Sequence, residues 1–264
     1  MNNSALVVIP CRIGSTRFPN KPCALIAGRS LVDRVWRNAT AATEVDRVVV
    51  ATDSDQIAKH CQAFGAEVML TSESCRTGTD RVAEVAARLL TDDSIVINLQ
   101  GDAVLTPPWV IDAVIAEFRS DPQVKLVTPM VRLVGEAAID MVNQKKAGNT
   151  TGTLVTFDRN HNALYFSKNL IPNPRDGVKS NTEFFLHIGL YGYRATTLAT
   201  LSELPSGRFE QVEHLEQLRA LENGIPIRMV EVNLRGRSLC SIDSPGDVAI
   251  VERIIAREGE LLPE

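Results

Sequence analysis

Alternation between short β-branched runs and helix-spaced segments most narrows what this chain of 264 residues can fold into. Residues 6–9, 47–52, 67–70, 94–99 and 125–131 read as strands, and 30–42, 55–64, 79–90 and 108–118 carry helical apolar spacing between them. Strands separated by helices cannot pair as hairpins, so the pattern implies an α/β fold: a mostly parallel central sheet flanked by helices on both faces. Such sheets bind ligands beyond the carboxyl ends of their strands. That places the loop after residue 9, Asp53 and Gln100-Gly101-Asp102 at one crevice.

The second half is less regular. Residues 145–149 and 172–177 read as loops around a hairpin-like pair, 153–157 and 163–166, so the segment at about 142–186 is expected to be an inserted lid or dimerisation arm. A strand at 187–194, a helix at 209–222 stopped by Asn223-Gly224, a strand at 227–232 and a last helix from Pro245 follow. A hydrophobic content of 44% suffices for one large domain or two small ones, and a net charge of −4 argues against nucleic acid or an anionic membrane as partner. There is no leader-like N-terminus and no apolar run long enough to span a bilayer. The five cysteines are scattered without a C-x-x-C pair, which favours a reducing cytoplasm over a disulfide framework or a zinc site.

The loop at 9–22 reads Ile-Pro-Cys-Arg-Ile-Gly-Ser-Thr-Arg-Phe-Pro-Asn-Lys-Pro. Arg12, Arg17 and Lys21 supply positive charge, and Gly14, Ser15 and Thr16 let backbone N–H groups approach an anion, a combination suited to a nucleoside triphosphate. Neither a Walker lysine nor a G-x-G-x-x-G turn is present, so a generic ATPase or dehydrogenase is disfavoured. Asp102, after an apolar strand, and Asp243, before the last helix, are candidate ligands for Mg²⁺, which takes one or two carboxylates together with phosphate oxygens and water. The alternative for Asp243 is a plain helix cap before Ser244-Pro245.

Seven further motifs stand in order along the chain. They are 50–53 (Val-Ala-Thr-Asp), 78–85 (Gly-Thr-Asp-Arg-Val-Ala-Glu-Val), 98–102 (Asn-Leu-Gln-Gly-Asp), 163–168 (Ala-Leu-Tyr-Phe-Ser-Lys), 187–194 (His-Ile-Gly-Leu-Tyr-Gly-Tyr-Arg), 215–221 (Leu-Glu-Gln-Leu-Arg-Ala-Leu) and 243–247 (Asp-Ser-Pro-Gly-Asp). With the opening loop, the set resembles the 3-deoxy-manno-octulosonate (Kdo) cytidylyltransferase family over nearly the whole chain. The resemblance implies a single domain, 1–264, with a Rossmann-like (GT-A-like) nucleotidyltransferase fold and the segment near 142–186 inserted in it. It implies attack of an acidic 3-deoxy sugar on the α-phosphate of CTP, with Mg²⁺ as cofactor, a cytoplasmic homodimer and a role in surface-polysaccharide synthesis. Arg12, Lys21, Asp102 and Asp243 are the implied catalytic residues, Asp102 and Asp243 as metal ligands. Pro10, Cys11, Arg12, Ser15, Lys21, Gly78, Thr79 and Arg81 would bind the nucleotide, and Gln100, Lys168, Arg175, His187, Tyr191, Glu213, Glu216 and Gln217 the sugar.

Blander readings stand beside these roles. Arg81 could be an ordinary helix-face charge, His187 a satisfied core histidine, and Glu213, Glu216 and Gln217 a solvated face of the 209–222 helix. The chain also departs from the family pattern: Lys168 stands for an arginine, Cys75 for a histidine, and Ala103-Val104 for an acidic residue and proline. Lysine offers a point charge where arginine offers a planar fork, so these changes bear on the sugar rather than the nucleotide. Two alternatives follow, a cytidylyltransferase for a nonulosonic (sialic-like) acid and a non-catalytic nucleotide-sugar-binding protein.

Overall fold

The structure is a computed structural model and describes residues 4–14, 18–90, 93–179 and 181–262. Its first half comprises β1 (Ala5–Cys11), a 3₁₀ turn (Lys21–Cys23), a small hairpin of β2 (Leu25–Ile26) and β3 (Arg29–Ser30), α1 (Leu31–Thr40), β4 (Arg47–Thr52), α2 (Asp55–Ala63), β5 (Glu67–Leu70), α3 (Gly78–Leu89), β6 (Ile95–Leu99), α4 (Pro108–Ser120) and β7 (Leu126–Leu133). The second half adds α5 (Glu136–Lys146), β8 (Thr153–Phe157), β9 (Ala163–Ser167), β10 (Phe184–His187), β11 (Leu190–Arg194), α6 (Ala195–Glu203), α7 (Arg208–Glu213), α8 (Leu218–Glu222), β12 (Arg228–Glu231) and α9 (Pro245–Glu258).

β5, β4, β1 and β6 pair in parallel, as the strand-helix alternation predicts. β11 then lies antiparallel on β6, and β7, β8, β9, β10 and β12 complete a ten-stranded sheet. The strand period of two divides the core. Val7 and Ile9 of β1 pack with Leu31, Val35, Ile57 and Ile111 on one face, while Leu6 and Val8 pack with Val82, Val85 and Leu198 on the other. With both faces covered, β1 and β6 are apolar nearly throughout, so their carboxyl ends are rigid mounts for the loops that follow.

Three expectations are corrected. The strand at 187–194 is interrupted: β10 begins at Phe184, and the five steps from His187 to Gly192 face only three steps from Met130 to Val127 on β7. The two surplus residues form a bulge at 188–189, and the Thr128 hydroxyl donates to the Leu190 carbonyl just beyond it at 2.7 Å. The helix at 209–222 is two short helices, because His214 takes φ +53° and turns the chain back. Arg219 then reaches Glu210 with two bonds of 2.9 and 2.5 Å, a pairing a continuous helix would not allow at that spacing. Finally, residues 145–149 are not all loop, since α5 runs to Lys146. Its buried apolar side chains are few, Ala138, Met141 and Val142 against Leu154 and Phe184, so its periodicity is weak.

Candidate active site

The carboxyl ends of β1 and β6 and the N-terminus of α3 meet around a cavity of about 370 Å³. Pro10, Cys11 and Arg12 leave β1 along one wall, Gln100, Gly101 and Asp102 leave β6 beside them, and Lys21, Arg76, Gly78, Arg81 and Asp243 close the rim. The two strand ends touch so closely that a Cβ at Gly101 would lie 2.7 Å from the Pro10 carbonyl oxygen, a contact between backbones that only glycine permits.

Lys21 and Asp102 tie this rim together. The Lys21 ammonium lies 2.8 Å from Asp102 Oδ2 and donates to the Ile242 carbonyl at 2.8 Å, and the Ile242 N–H donates to the Asp102 carbonyl at 3.3 Å. These bonds bring Asp243 to the cavity that Asp102 lines. The capping alternative for Asp243 is corrected by the helix start itself: Ser244 is the cap of α9, and Asp247 Oδ2 accepts the Asp243 and Ser244 N–H groups at 2.9 and 2.7 Å. Asp243 does not cap the helix, and it lines the cavity together with Asp102. Among the described residues no cluster of three or more His, Cys, Asp or Glu side chains is placed to hold a metal by protein ligands alone.

The turn at 77–81 is shaped by a reciprocal cap. Thr77 Oγ1 accepts the Asp80 N–H at 3.0 Å, and Asp80 Oδ2 accepts the Arg76 and Thr77 N–H groups at 3.1 Å each. This fixes Gly78 against Pro10 and directs Arg81 inward. Arg81 is not a helix-face charge: it is buried, bonds the Thr71 hydroxyl, and lies 2.6 Å from Asp53 Oδ2. Cys75 also lines the cavity, and burial together with its bond to Glu84 raises its thiol to about 11, so it is no nucleophile at neutral pH. Cys11 is held protonated in the same way by burial.

A second group of predicted residues lies deeper, between α3, β11 and α8. The Thr79 hydroxyl donates to Glu216 Oε2 at 2.9 Å, and the Tyr191 hydroxyl donates to Gln217 Oε1 at 2.9 Å. Burial raises the Glu216 carboxyl above its ordinary value. Glu216 Oε1, 3.6 Å from the Arg219 guanidinium, and Gln217 Nε2 are buried without a hydrogen-bond partner, an acceptor and a donor on adjacent residues that suit a polyol ligand. His187 packs beside Tyr191, ring centroids 5.5 Å apart, and its Nε2 is 2.7 Å from Thr128 Oγ1. Because that hydroxyl spends its one proton on the Leu190 carbonyl at 2.7 Å, Nε2 must be the donor, which leaves Nδ1 as acceptor.

Burial lowers the His187 pKa from 6.5 to about 3, so the unfolded chain binds the extra proton first as pH falls. Stability assigned to His187 is therefore full above pH 6.5 and declines toward pH 3, by up to about 1.4 kcal/mol per pH unit. Urea denaturation at neutral pH and in that window should show His187→Gln losing less stability on acidification than the parent chain; equal losses would refute the assignment.

Glu213 lies apart from Glu216 and Gln217, on the other side of the His214 turn. It holds the end of β9, accepting the Ser167 hydroxyl at 2.7 Å and the Lys168 N–H at 3.1 Å. The positive charge of Lys168 helps depress the pKa of Lys145, after burial, which brings a second lysine from α5 into this neighbourhood. Arg175 is exposed in the loop at 171–179 and shares no hydrogen bond or ion pair with the other candidates among the described residues. Ser15 lies outside the described residues. The rim residues Arg76 and Cys75 and the bridging Lys145 were not anticipated as site residues; a lone charge beside a recognised motif carries no periodic signal.

The cytidylyltransferase family model matches residues 6–230. The chain is 50% identical over 262 residues to a 3-deoxy-manno-octulosonate cytidylyltransferase of Maricaulis maris, covering 98% of this chain and 100% of that one. This chain belongs to the cytidylyltransferase family. A protein of the same description from Myxococcus xanthus is 41% identical over 254 residues, covering 96% and 97% of the two chains. A solved CMP:2-keto-3-deoxy-manno-octonic acid synthetase complexed with CTP superposes with TM-score 0.86 at 33% identity, covering 97% of this chain and 100% of that one. A cytidylyltransferase from Leptospira borgpetersenii, at TM-score 0.63 and 14% identity, shares the fold. The cytidylyltransferase resemblance carried by the motifs is thus borne out, and with it the nucleotidyltransferase fold.

Proposed function

We propose that this cytidylyltransferase joins CTP and Kdo, or a closely related 3-deoxy-ulosonic acid, into a CMP-sugar with release of pyrophosphate. The observation that carries the reading is the convergence of Arg12, Lys21, Asp102 and Asp243 on the cavity between β1 and β6, beside the polar group of Tyr191, Glu216 and Gln217. Arg12 and Lys21 neutralise the triphosphate, and the Gly78 turn with Arg81 meets the base. The sugar lies between Gln100, His187 Nδ1, Tyr191, Glu216 and Gln217, its carboxylate toward Lys168 and Arg175. In-line displacement at phosphorus asks the protein for positioning and charge neutralisation, which such an arrangement provides.

Asp102 and Asp243 fit Mg²⁺: both are hard oxygen donors on one cavity, and two carboxylates are as many as Mg²⁺ takes when phosphate oxygens complete its shell. Bound there, the ion would offset negative charge building on the phosphate oxygens. Lys21 orients Asp102, and Gly101 keeps both strand ends within reach of one phosphate group. We further propose a cytoplasmic homodimer in which the segment at 142–186 contributes the lid or the subunit contact. No helix among the described residues is long and apolar enough to cross a membrane. Light scattering should give twice the chain mass; a monomer at working concentration would reject the dimer.

Pyrophosphate release with Mg²⁺ and CTP, compared across Kdo, 8-amino-Kdo and a nine-carbon ulosonic acid, tests the reaction. Turnover confined to CTP with an eight-carbon acid is expected. Turnover confined to the nine-carbon acid would replace the sugar assignment, and none with any pair would replace the activity.

A further inference from the structure

One buried chain of hydrogen bonds joins the two groups of residues, and nothing in the proposed reaction uses its central member, Asn98. Gln100 Nε2, on the cavity wall, donates to Asn98 Oδ1 at 3.0 Å. Asn98 Nδ2 donates to Thr79 Oγ1 at 3.2 Å, and the Thr79 hydroxyl donates in turn to Glu216 Oε2 at 2.9 Å. Every link runs in the same direction, so each donor is polarised by the one before it. Asn98 is fully buried on β6, opposite Tyr191 of β11, and lines neither cavity.

We infer that Asn98 is a positioning residue that, through Thr79, fixes the side chain of Gln100 relative to that of Glu216 and so sets the spacing of the sugar pocket. The geometry orders the chain of donors, with the Tyr193 hydroxyl as a further neighbour of Thr79. The Asn98 amide presents its oxygen to Gln100 and its nitrogen to Thr79, and the Thr79 hydroxyl, having accepted from Asn98, has its proton free for Glu216. Glu216 Oε2 is thereby taken by Thr79, while Oε1 lies 3.6 Å from the Arg219 guanidinium without a hydrogen bond of its own. A side chain of the same shape but with the donor removed breaks the order without emptying the core.

The inference rests on the proposed reaction, and the test separates the two. Asn98→Asp keeps the acceptor for Gln100 and deletes the donor to Thr79; Thr79→Val deletes the hydroxyl at constant shape, and Thr79→Ser restores it. KM for the sugar acid should rise about tenfold or more for Thr79→Val, which loses a buried bond to the Glu216 carboxyl group, and about fivefold or more for Asn98→Asp, which loses one between neutral groups. The Kd for CTP measured by calorimetry without sugar should stay within about threefold of the parent for Asn98→Asp, and Thr79→Ser should return the sugar KM to near the parent value. Equal losses for both substrates, or no change in sugar KM in a folded variant, would overturn the positioning role. An inactive parent chain would instead overturn the proposed reaction. If Thr79→Val fails to fold by circular dichroism, Asn98→Asp alone decides the question by the same criteria.

Discussion

Asp102→Asn should reduce pyrophosphate release by about 100-fold or more, with little change in fold. The expectation follows from two jobs held by one carboxylate. Asp102 Oδ2 receives the Lys21 ammonium at 2.8 Å, and the group faces the cavity opposite Asp243. Asparagine preserves the shape and its amide oxygen can still accept from Lys21, but the charge is removed, so the ion pair is lost and the proposed pair of metal-binding carboxylates is reduced to one. The Asp102 side chain is 27% exposed, and an ion pair so placed contributes on the order of 1 kcal/mol to stability, so Tm should move little. Steady-state assays at saturating CTP and sugar check the claim. Turnover within about threefold of the parent would remove Asp102 from the chemistry.

Arg81→Met carries the largest expected effect on stability. The guanidinium is 3% exposed and its partner Asp53 18%, and the Asp53 Oδ1 atom is already buried without a hydrogen bond. Deleting the arginine strands a carboxylate in the interior, a change that costs about 3–5 kcal/mol where one member of a buried pair is removed. For a chain of this size that corresponds to roughly 10 °C in Tm. Arg81→Lys should recover only part, because one ammonium cannot reach both Thr71 and Asp53 as the two nitrogens of the fork do. Calorimetric scans of the two variants measure this. A Tm drop of under about 2 °C for Arg81→Met would mean that Asp53 rehydrates freely and that the pair is dispensable.

How much of this was visible beforehand depends on the range of the interactions concerned. β1, β4 and β6 were legible because a strand buried on both faces must be apolar along most of its length, as Val7, Val8 and Ile9 are. The helix break at His214 was not, because Glu210 and Arg219 attract one another across a turn that no local preference demands. For the same reason Glu213 and Glu216, three residues apart, serve different places, one holding Ser167 and Lys168 and the other Thr79. The bulge at 188–189 was hidden too, since its residues keep a strand-like composition and only the register on β7 reveals the two extra positions.

The linear order of residues was enough to establish the α/β class, the loop of cations after β1, the two aspartates and the family. Those properties reside in periodicity and in short motifs, which chain neighbours carry by themselves. Tertiary structure alone decided that Lys21 bridges Asp102 to the Ile242 carbonyl, that Arg81 turns inward to Asp53, and that Asn98 and Thr79 connect Gln100 to Glu216. Each of these is a choice among partners far apart in the chain, made by which groups burial brings within 3 Å and which of them would otherwise lose a hydrogen bond.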